Sequence, residues 1–304
     1  MSDPCAEEEV QMDEGREPSA SVRERGAEPP APPRAAALLF HGLAGTPFEM
    51  APVARALEAE GLAAHTPLLP GHGAGREAYL AASFARWRAF AHAEYRRLSA
   101  VGPLLLGGYS LGGILALDIA ESAAREGLPL PLGLLLLATP LTFSSRRPGL
   151  RLRGPGSWRF RLLPLAARLW PVLAVAPRSA AARATAPWHG HETVCCLRHF
   201  AEMETALRGI RRRLGRIRAP LCVIQLRHDA SCPPGHAALL LARCASDEAH
   251  LHLLRTQSPH GGHLPATHAE SRERVAALCR AFARDCLERA GRNQPPARVP
   301  PPPA

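Results

Sequence analysis

A serine between closely spaced glycines is the feature that most constrains how this chain can fold. Residues 107–113 read Gly-Gly-Tyr-Ser-Leu-Gly-Gly and stand between an apolar, strand-like run and a helical pattern. A turn this tight from strand to helix leaves no room for a Cβ atom two residues either side of the serine. Gly108 and Gly112 meet that requirement, so Ser110 is a candidate nucleophile. The alternative is a glycine-rich turn that carries a bystander serine.

A second glycine-rich segment follows an apolar run earlier in the chain. Residues 36–45 read Ala-Ala-Leu-Leu-Phe-His-Gly-Leu-Ala-Gly, which is typical of a buried strand that ends in a loop. A nucleophilic serine needs two backbone N–H groups that bind the oxyanion formed during acyl transfer. The best candidates are the amide of Leu111, directly after the serine, and the amide of Leu43 in this loop. The alternative is a simple strand–loop–helix corner.

Candidates for an acid and a base follow the serine along the chain. Residues 221–226 form an apolar run, and Asp229 comes soon after it. This places Asp229 at the carboxyl end of a predicted strand, where ligand chemistry collects in open α/β sheets. A later strand-like stretch leads into a loop that contains both His260 and His263. The order of acid and then histidine suits a serine triad on such a sheet, and the residues alone leave both histidines open as the base.

Together these segments resemble the α/β-hydrolases, and most closely their small bacterial carboxylesterases and monoacylglycerol lipases. The resemblance covers most of residues 36–286. Besides the motifs above, it rests on Leu-Pro-Gly-His-Gly at 69–73, on Arg-His-Asp at 227–229 and on the segment after His263.

The resemblance also separates the two histidines. In that branch of the family an acidic residue follows the catalytic histidine by seven positions and begins the last helix. Glu270 lies seven residues after His263 and ten after His260. The resemblance therefore favours His263 as the base, and His260 and His268 are expected to be solvated loop residues.

The activity implied by the resemblance is that of a serine hydrolase cleaving carboxylic esters through an acyl-enzyme intermediate, as a carboxylesterase or a monoacylglycerol lipase-like enzyme. Its implied residues are Ser110 as nucleophile, His263 as base, Asp229 as the acid that orients the base, and the amides of Leu43 and Leu111 as oxyanion donors. No cofactor is implied. A thioesterase, an amidase or peptidase, or an acyltransferase would use the same triad, and a non-catalytic binding member of the fold is a further alternative.

Alternating strand and helix patterns predict a mainly parallel central sheet with helices on both faces, and the resemblance implies that this is an α/β-hydrolase fold. Strands are expected near 36–40, 62–66, 103–107, 132–138, 221–226 and 250–254, and helices over 48–60, 84–97, 111–125 and 270–289. The segment between the predicted strands at 132–138 and 221–226 is too long to be a structureless loop. Residues 140–219 are therefore predicted to be a largely helical insertion, which the resemblance implies is a cap over the serine.

The predicted cap is aromatic and strongly basic. Six of its large side chains either line an acyl pocket or form the core of the cap: Trp158, Phe160, Trp170, Trp188, Phe200 and Met203. Residues 141–218 contain sixteen arginines and three glutamates, a charge suited to weak association with anionic lipid surfaces. However, the chain contains no lysine, which indicates a compositional bias rather than a selected binding surface.

These observations limit the partners that the sequence predicts. We expect a small-molecule acyl ester as the substrate and no specific nucleic-acid partner, and the oligomeric state stays open. The lack of an acidic cluster in the predicted cap disfavours a peptidase that holds a free amino terminus. The pair of histidines at 189 and 191 is close to Cys195 but has no further ligand in place, so no metal site is expected.

Composition divides the chain into one folded domain and two tails. Residues 1–34 contain nine acids, four arginines and several prolines and are predicted to be disordered. Residues 35–290 are predicted to form the α/β-hydrolase domain, and the proline-rich tail at 291–304 to be disordered. The acidic amino terminus and the lack of a long apolar run favour a cytoplasmic protein. The eight scattered cysteines predict reduced thiols.

Overall fold

Strands and helices alternate along the computed structural model, which describes residues 35–143, 162–258 and 260–293. The described strands are β1 (Ala35–Phe40), β2 (Leu62–His65), β3 (Leu104–Tyr109), β4 (Leu134–Leu137), β5 (Val172–Ala174), β6 (Val194–Cys196), β7 (Leu221–Leu226) and β8 (Ala249–Leu254). The described α-helices are α1 (Ala51–Glu58), α2 (Arg76–Ala81), α3 (Phe84–Ser99), α4 (Leu111–Ala123), α5 (Leu163–Leu169), α6 (Ala180–Thr185), α7 (Leu197–Arg213), α8 (Gly235–Arg243) and α9 (Arg272–Asn293). They all belong to one compact unit.

Six strands form one parallel sheet in the order β2-β1-β3-β4-β7-β8, which confirms the predicted parallel sheet. The order reverses at β1, because β2 lies on one side of it and the later strands on the other. Open α/β sheets form a crevice at the carboxyl ends of the strands at such a point. Phe40 at the end of β1 pairs with Gly108 near the end of β3, so the loops carrying Leu43 and Ser110 meet there.

The burial of each strand follows its place in the sheet. β3 and β4 are buried along their whole length, as expected for central parallel strands covered on both faces. Successive residues of a strand point to opposite faces. Leu38 and Leu106 therefore pack into the core that contains α3 and α4, whereas Leu39 and Leu105 pack into the core that contains α1 and α9. The result is a three-layer α/β/α arrangement with helices on both faces, as predicted.

The predicted helices are present with shifted bounds. A 3₁₀ turn at Pro47–Met50 precedes α1, and α9 continues past Gly291 to Asn293, into the segment expected to be tail. The helices α2 and α8 were not predicted. α2 is too short to show a helical period, and α8 follows a pair of prolines that suggests a loop.

Residues 140–143 and 162–219 are the described parts of the predicted cap, and residues 144–161, with Trp158 and Phe160, lie outside the described residues. The second part contains α5, α6 and α7, as expected for a largely helical insertion. It also contains an antiparallel pair of strands, β5 and β6, that was not predicted. Each has only three residues, too few for an alternating pattern to be recognised. α7 packs on the main core through Met203 and Leu207.

Among the described residues, three that are not glycine have a left-handed backbone: Ala44 (φ 62°), Ser110 (φ 53°) and Ala138 (φ 45°). They follow β1, β3 and β4, at the carboxyl edge of the sheet. This conformation brings a Cβ atom close to the following carbonyl and is costly. It persists where the surrounding structure requires it, so backbone strain is concentrated at the edge where the candidate site residues meet.

Within the described ranges, no helix has the length and apolar character needed to cross a bilayer. The seven cysteines in those ranges are free thiols. Residues 1–34 and 294–304 lie outside the described residues, so the disorder expected there stays a prediction.

Candidate active site

Ser110 lies in a sharp turn between β3 and α4, with φ of 53° and ψ of −111°. A Cβ atom on Gly108 would lie 2.3 Å from the carbonyl carbon of Gly112, and one on Gly112 would lie 2.0 Å from the carbonyl oxygen of Phe40. The two glycines therefore allow α4 to approach the ends of both strands. The Ser110 N–H donates to the Leu137 carbonyl at 2.9 Å, which ties the turn to β4. This is the strand–turn–helix geometry of a nucleophile elbow.

Asp229 follows β7, and its carboxylate is buried, with 3% of the residue exposed. Its Oδ1 accepts the N–H groups of Ser231 and Cys232, both at 2.8 Å. Its Oδ2 accepts the Gln225 side-chain amide at 2.9 Å and lies 2.7 Å from Nδ1 of His263. These donors offset the cost of burying the charge. Gln225 was not identified as a site residue from the sequence. Its polar side chain within an apolar strand was the signal that could have revealed it.

His263 lies between Asp229 and Ser110 and contacts both. Its Nδ1 is 2.7 Å from Asp229 Oδ2, and its Nε2 is 3.0 Å from Ser110 Oγ. Because a carboxylate only accepts, Nδ1 carries the proton of the neutral ring and Nε2 can accept the serine hydroxyl. The ring also packs against Tyr109, with centroids 5.1 Å apart. The arrangement is able to move a proton from the serine hydroxyl to the imidazole.

The other histidines of this loop lie away from Ser110. His260 is exposed, as expected. His268 is fully buried, so the prediction that it is a solvated loop residue is wrong. Its Nδ1 accepts the N–H of Glu270 at 3.1 Å and its Nε2 donates to the His260 carbonyl at 3.1 Å, so it holds the loop together. Glu270 precedes α9 and accepts the N–H groups of Gln257 and Ser258.

Leu43 and Leu111 line the same cavity as Ser110 and His263. Within the described part of the chain neither amide donates a hydrogen bond to another protein group. The Leu111 amide lies in the first turn of α4, where N–H groups have no partner inside the helix and the helix dipole favours negative charge. Both amides are therefore available to an oxygen that gains negative charge.

The side chain of His41 supports the loop that carries Leu43. We call residues 41–46 the oxyanion loop. His41 Nδ1 lies 2.9 Å from the Gly42 carbonyl, and His41 Nε2 accepts the N–H of Leu69 at 3.0 Å. A backbone N–H only donates, so the ring is neutral with its proton on Nδ1, which donates to Gly42. Burial lowers the pKa of His41 to about 4, consistent with a neutral ring.

His72 supports the same loop from the Leu-Pro-Gly-His-Gly segment. Its Nε2 accepts the N–H of Ala44 at 3.2 Å, and its ring packs edge-on against His41, with centroids 4.9 Å apart. Burial, and after it the neighbouring His41 ring, lowers the pKa of His72 to about 3. The sequence resemblance included His41 and His72, but it did not reveal that both hold the oxyanion loop.

A cavity of about 490 Å³ opens at Ser110 between the sheet domain and the cap. Besides Leu43 and Leu111, its apolar lining includes Ile114 from α4, Pro140 and Phe143 from the first residues of the cap segment, and Val175, Val194, Phe200 and Met203 from its later part. No carboxylate is among the described residues that line it. A cavity of this size and lining is typical of a site for a small, largely apolar ligand.

Two of the six large cap residues singled out from the sequence, Phe200 and Met203, line this cavity. Trp170 is 63% exposed. Trp188 lies beside the oxyanion loop, where its indole N–H donates to Glu49. Among the described residues, no group of three histidine, cysteine or acidic side chains is arranged to hold a metal ion.

Comparison with protein families places the chain among hydrolases. A family model described as serine aminopeptidase, S33, matches residues 31–260, which is more than two thirds of the chain. None of the curated protein sequences matches it.

Solved structures of lipolytic enzymes have the same fold. One, from work on the metagenome-derived lipolytic enzymes LipS and LipT, is 21% identical, covers 83% of this chain and 94% of its own length, and has a TM-score of 0.67. The monoacylglycerol lipase of Paleococcus ferrophilus is 18% identical, with 84% and 95% covered and a TM-score of 0.63. A soluble variant of monoglyceride lipase from Saccharomyces cerevisiae, bound to a substrate analog, is 14% identical, with 84% and 87% covered and a TM-score of 0.68. At these identities the likeness establishes the fold.

Proposed function

Because this chain belongs to the serine aminopeptidase S33 family of α/β-hydrolases, we propose that it is a serine hydrolase that cleaves carboxylic esters with a small or medium acyl chain. The observation that carries the proposal is the continuous hydrogen-bonded series from Ser110 through His263 to Asp229, at the mouth of an apolar cavity. In this proposal the three side chains act as nucleophile, base and orienting acid.

The proposed reaction has two halves. His263 Nε2 accepts the proton as Ser110 Oγ attacks the ester carbonyl, and the amides of Leu43 and Leu111 bind the oxygen that becomes negative. When the tetrahedral intermediate collapses, the bond to the alcohol oxygen breaks and His263 returns the proton to the departing alcohol. Water then attacks the acyl-serine with His263 again as base. The second tetrahedral intermediate collapses by breaking the bond to Ser110 Oγ, which takes the proton back from His263 as the carboxylic acid leaves. Asp229 keeps Nδ1 protonated and stabilises the imidazolium that forms in each half.

The cavity favours an ester over an amino-terminal peptide, despite the aminopeptidase in the family's name. A peptidase that holds a free ammonium group usually needs a carboxylate close to the scissile bond. The described lining of the cavity contains none, and most of its side chains are apolar. An acyl chain buried there would gain about 0.8 kcal/mol for each methylene, whereas a bound ammonium would lose its hydration without an opposite charge.

The test is a panel of p-nitrophenyl esters of increasing acyl length, with matched thioesters and an aminoacyl p-nitroanilide. We expect ester hydrolysis to be fastest, and Ser110→Ala to lower its rate by at least about a thousandfold, because members of a triad act as a unit. Ser122→Ala is the matched control, since Ser122 lies on the same helix α4 and its hydroxyl donates to the Ile119 carbonyl, away from Ser110.

Two results would reject this proposal. If the anilide were cleaved faster than every ester, the activity would be that of an aminopeptidase. If Ser110→Ala retained the activity of the Ser122→Ala control, Ser110 would not be the nucleophile.

A further inference from the structure

The cap touches the oxyanion loop directly through four consecutive residues, Trp188–His191, which we call the clasp. The N–H of His191 donates to the Ala44 carbonyl at 2.8 Å. A Cβ atom on Gly190 would lie 2.0 Å from the same carbonyl oxygen, so the two backbones are in close contact. Ala44 is one of the residues with a left-handed backbone. The cap therefore helps to hold the oxyanion loop in a strained conformation.

The buried side chain of Glu49 connects the clasp to the oxyanion loop. The residue is 2% exposed, and its Oε2 accepts the N–H of Gly42 at 2.6 Å. Its Oε1 accepts the indole N–H of Trp188. A Cβ atom on Gly45 would lie 2.1 Å from Oε1, so the loop wraps closely around the carboxyl group. One side chain thus binds the loop and the cap at the same time.

Stacked rings secure the outer part of the clasp. His189 stacks on Phe48, with centroids 4.0 Å apart, and His191 stacks on Tyr79 at 4.6 Å. Phe48 is adjacent to Glu49 in the chain, whereas Tyr79 belongs to α2 and lines the cavity. The clasp is therefore anchored on both sides of the oxyanion loop.

The Gly42–Leu43 peptide shows how these contacts reach the reacting atoms. In a trans peptide the carbonyl and the following N–H lie in one plane and point in opposite directions. The Gly42 carbonyl accepts from His41 Nδ1 at 2.9 Å and from the Gly45 N–H at 3.3 Å, and the Gly42 N–H is held by Glu49. With both polar groups of Gly42 held, the direction of the Leu43 N–H is fixed.

The charge state of Glu49 suits this place. Burial raises the pKa of its carboxyl to about 8, although the hydrogen bonds from Gly42 and Trp188 act in the opposite direction. The group is therefore mostly neutral at pH 7. A neutral group beneath the loop can accept both N–H groups without placing a negative charge beside the oxygen that becomes an oxyanion.

We propose that Glu49 is a positioning residue for the oxyanion donor at Leu43, and that Trp188 of the clasp completes it, so that the docked cap sets the catalytic geometry. This inference rests on the proposed esterase function. It concerns the transition state rather than substrate binding, because neither Glu49 nor Trp188 is among the residues that line the cavity.

The test uses Glu49→Gln and Trp188→Phe in the full chain. Gln presents only one acceptor, so either Gly42 or Trp188 loses its partner, and Phe removes only the indole donor. The matched controls are Glu121→Gln, a buried glutamate on α4 that pairs with Arg213, and Trp170→Phe, an exposed tryptophan of the cap. For each variant we would measure kcat and KM on p-nitrophenyl butyrate, the Ki of an alkyl trifluoromethyl ketone, and the thermal midpoint.

A misplaced oxyanion donor should weaken the transition state and leave the ground state almost unchanged. We expect kcat to fall about 10- to 100-fold in Glu49→Gln, less than the loss of a whole donor, with KM within about twofold. The Ki of the ketone, whose adduct with serine carries an oxyanion, should rise in parallel. Trp188→Phe should show the same pattern more weakly, and neither control should show it.

A double variant separates positioning from general destabilisation. In Glu49→Gln/Trp188→Phe the amide oxygen is free to turn to Gly42, so kcat should be no lower than in Glu49→Gln alone, whereas independent structural losses would multiply. The inference is overturned if kcat and Ki match those of the controls, if KM rises while Ki is unchanged, or if the losses multiply. A wild-type protein without esterase activity would instead reject the proposed function.

Discussion

The two sides of Ser110 are built in different ways. On one side, which we call the base side, a chain of hydrogen bonds runs from Ser110 through His263 to Asp229, and Gln225 supports the carboxylate from behind. On the other side, the oxyanion loop is held by buried histidines and by Glu49, whose ordinary charges are suppressed by burial. The first side is a series of hydrogen bonds that includes the proposed proton transfer from Ser110 to His263, and the second is a set of neutral supports.

This difference follows from what each side has to do in the proposed reaction. On the base side, His263 gains and loses a proton in every cycle, and hydrogen-bond donors hold the carboxylate of Asp229 in place beside it. The oxyanion loop only has to stay in place while negative charge forms beside it. Supports that are neutral at pH 7 hold its amides without placing a charge beside the oxygen that becomes negative. The following predictions test this contrast, starting with the largest expected effect.

Removing the histidine of the base side should almost abolish ester hydrolysis. His263→Ala takes away the group within 3.0 Å of Ser110 Oγ, so kcat for ester hydrolysis should fall by at least about a thousandfold. His260→Ala is the matched control from the same loop, and it should lose less than about tenfold. If the two variants exchanged these results, the base would be His260 and the base side as described here would not be the catalytic one.

The support behind Asp229 should matter less than the triad itself. Gln225→Met removes a buried donor to Oδ2 but keeps a side chain of similar size, and kcat should fall about 10-fold, comparable with other losses of a supporting hydrogen bond. Gln257→Met, at an exposed residue, is the control. An unchanged kcat in Gln225→Met would mean that the backbone N–H groups of Ser231 and Cys232 suffice to hold the carboxylate.

The oxyanion loop should make the fold sensitive to acid. The folded pKa values of His41 and His72, about 4 and about 3, lie below the ordinary value of 6.5. The unfolded chain therefore takes up protons first, and the unfolding free energy should fall as the pH drops from about 6.5 towards 4. The slope is at most about 1.4 kcal/mol per pH unit for each histidine. Glu49 has the opposite sign, because its pKa of about 8 lies above 4.5 and stability is lost as the pH rises towards 8.

Urea unfolding at several pH values measures this slope. His72→Gln keeps an acceptor for the Ala44 N–H but does not titrate, so it should have a shallower slope than the wild type. The same change at the exposed His250 is the control. Equal slopes in His72→Gln and the wild type would show that the loop is not held by a neutral histidine.

Substrate preference should depend on the cap wall of the cavity, with the smallest effect of the four. Phe200→Ala enlarges the cavity, so the preferred acyl chain should lengthen by one or more methylenes, each worth about 0.8 kcal/mol or roughly fourfold in kcat/KM. Trp170→Ala, at an exposed position of the cap, should leave the preference unchanged. A profile of kcat/KM against chain length that is the same in both variants would place chain selection outside the cap.

The sheet and the positions of Ser110 and Asp229 were predictable from the sequence because their signals are local, whereas the residues alone left His260 and His263 open as the base. A continuous apolar run marks each central strand, and the residue at its end is then at the site edge, as for Ser110 and Asp229. The support of the oxyanion loop gave no such signal. Glu49 reads as an ordinary residue in the first turn of a helix, and Trp188 lies 139 residues away from it in the chain. Only the folded chain brings such distant groups together.

The role of the cap was predictable only in outline. The length of the insertion and its aromatic content predicted a cover over the serine, and the described part of the cap does line the cavity through Phe200 and Met203. Of the described tryptophans, Trp170 and Trp188 do not line it, because composition alone does not say which face of a segment meets the site. Trp170 faces outward, and Trp188 faces the loop rather than the cavity.

The left-handed residues at the carboxyl edge of the sheet have a consequence for how the protein tolerates heat. Ala44, Ser110 and Ala138 adopt a conformation that costs about 1–2 kcal/mol for each residue, against a total stability of about 5–15 kcal/mol for a typical domain. The strained backbone at this edge is therefore stabilised by contacts with the sheet, the helices and the docked cap around it. On warming, it should relax before the rest of the molecule melts, so that activity disappears while the helices and strands are still intact.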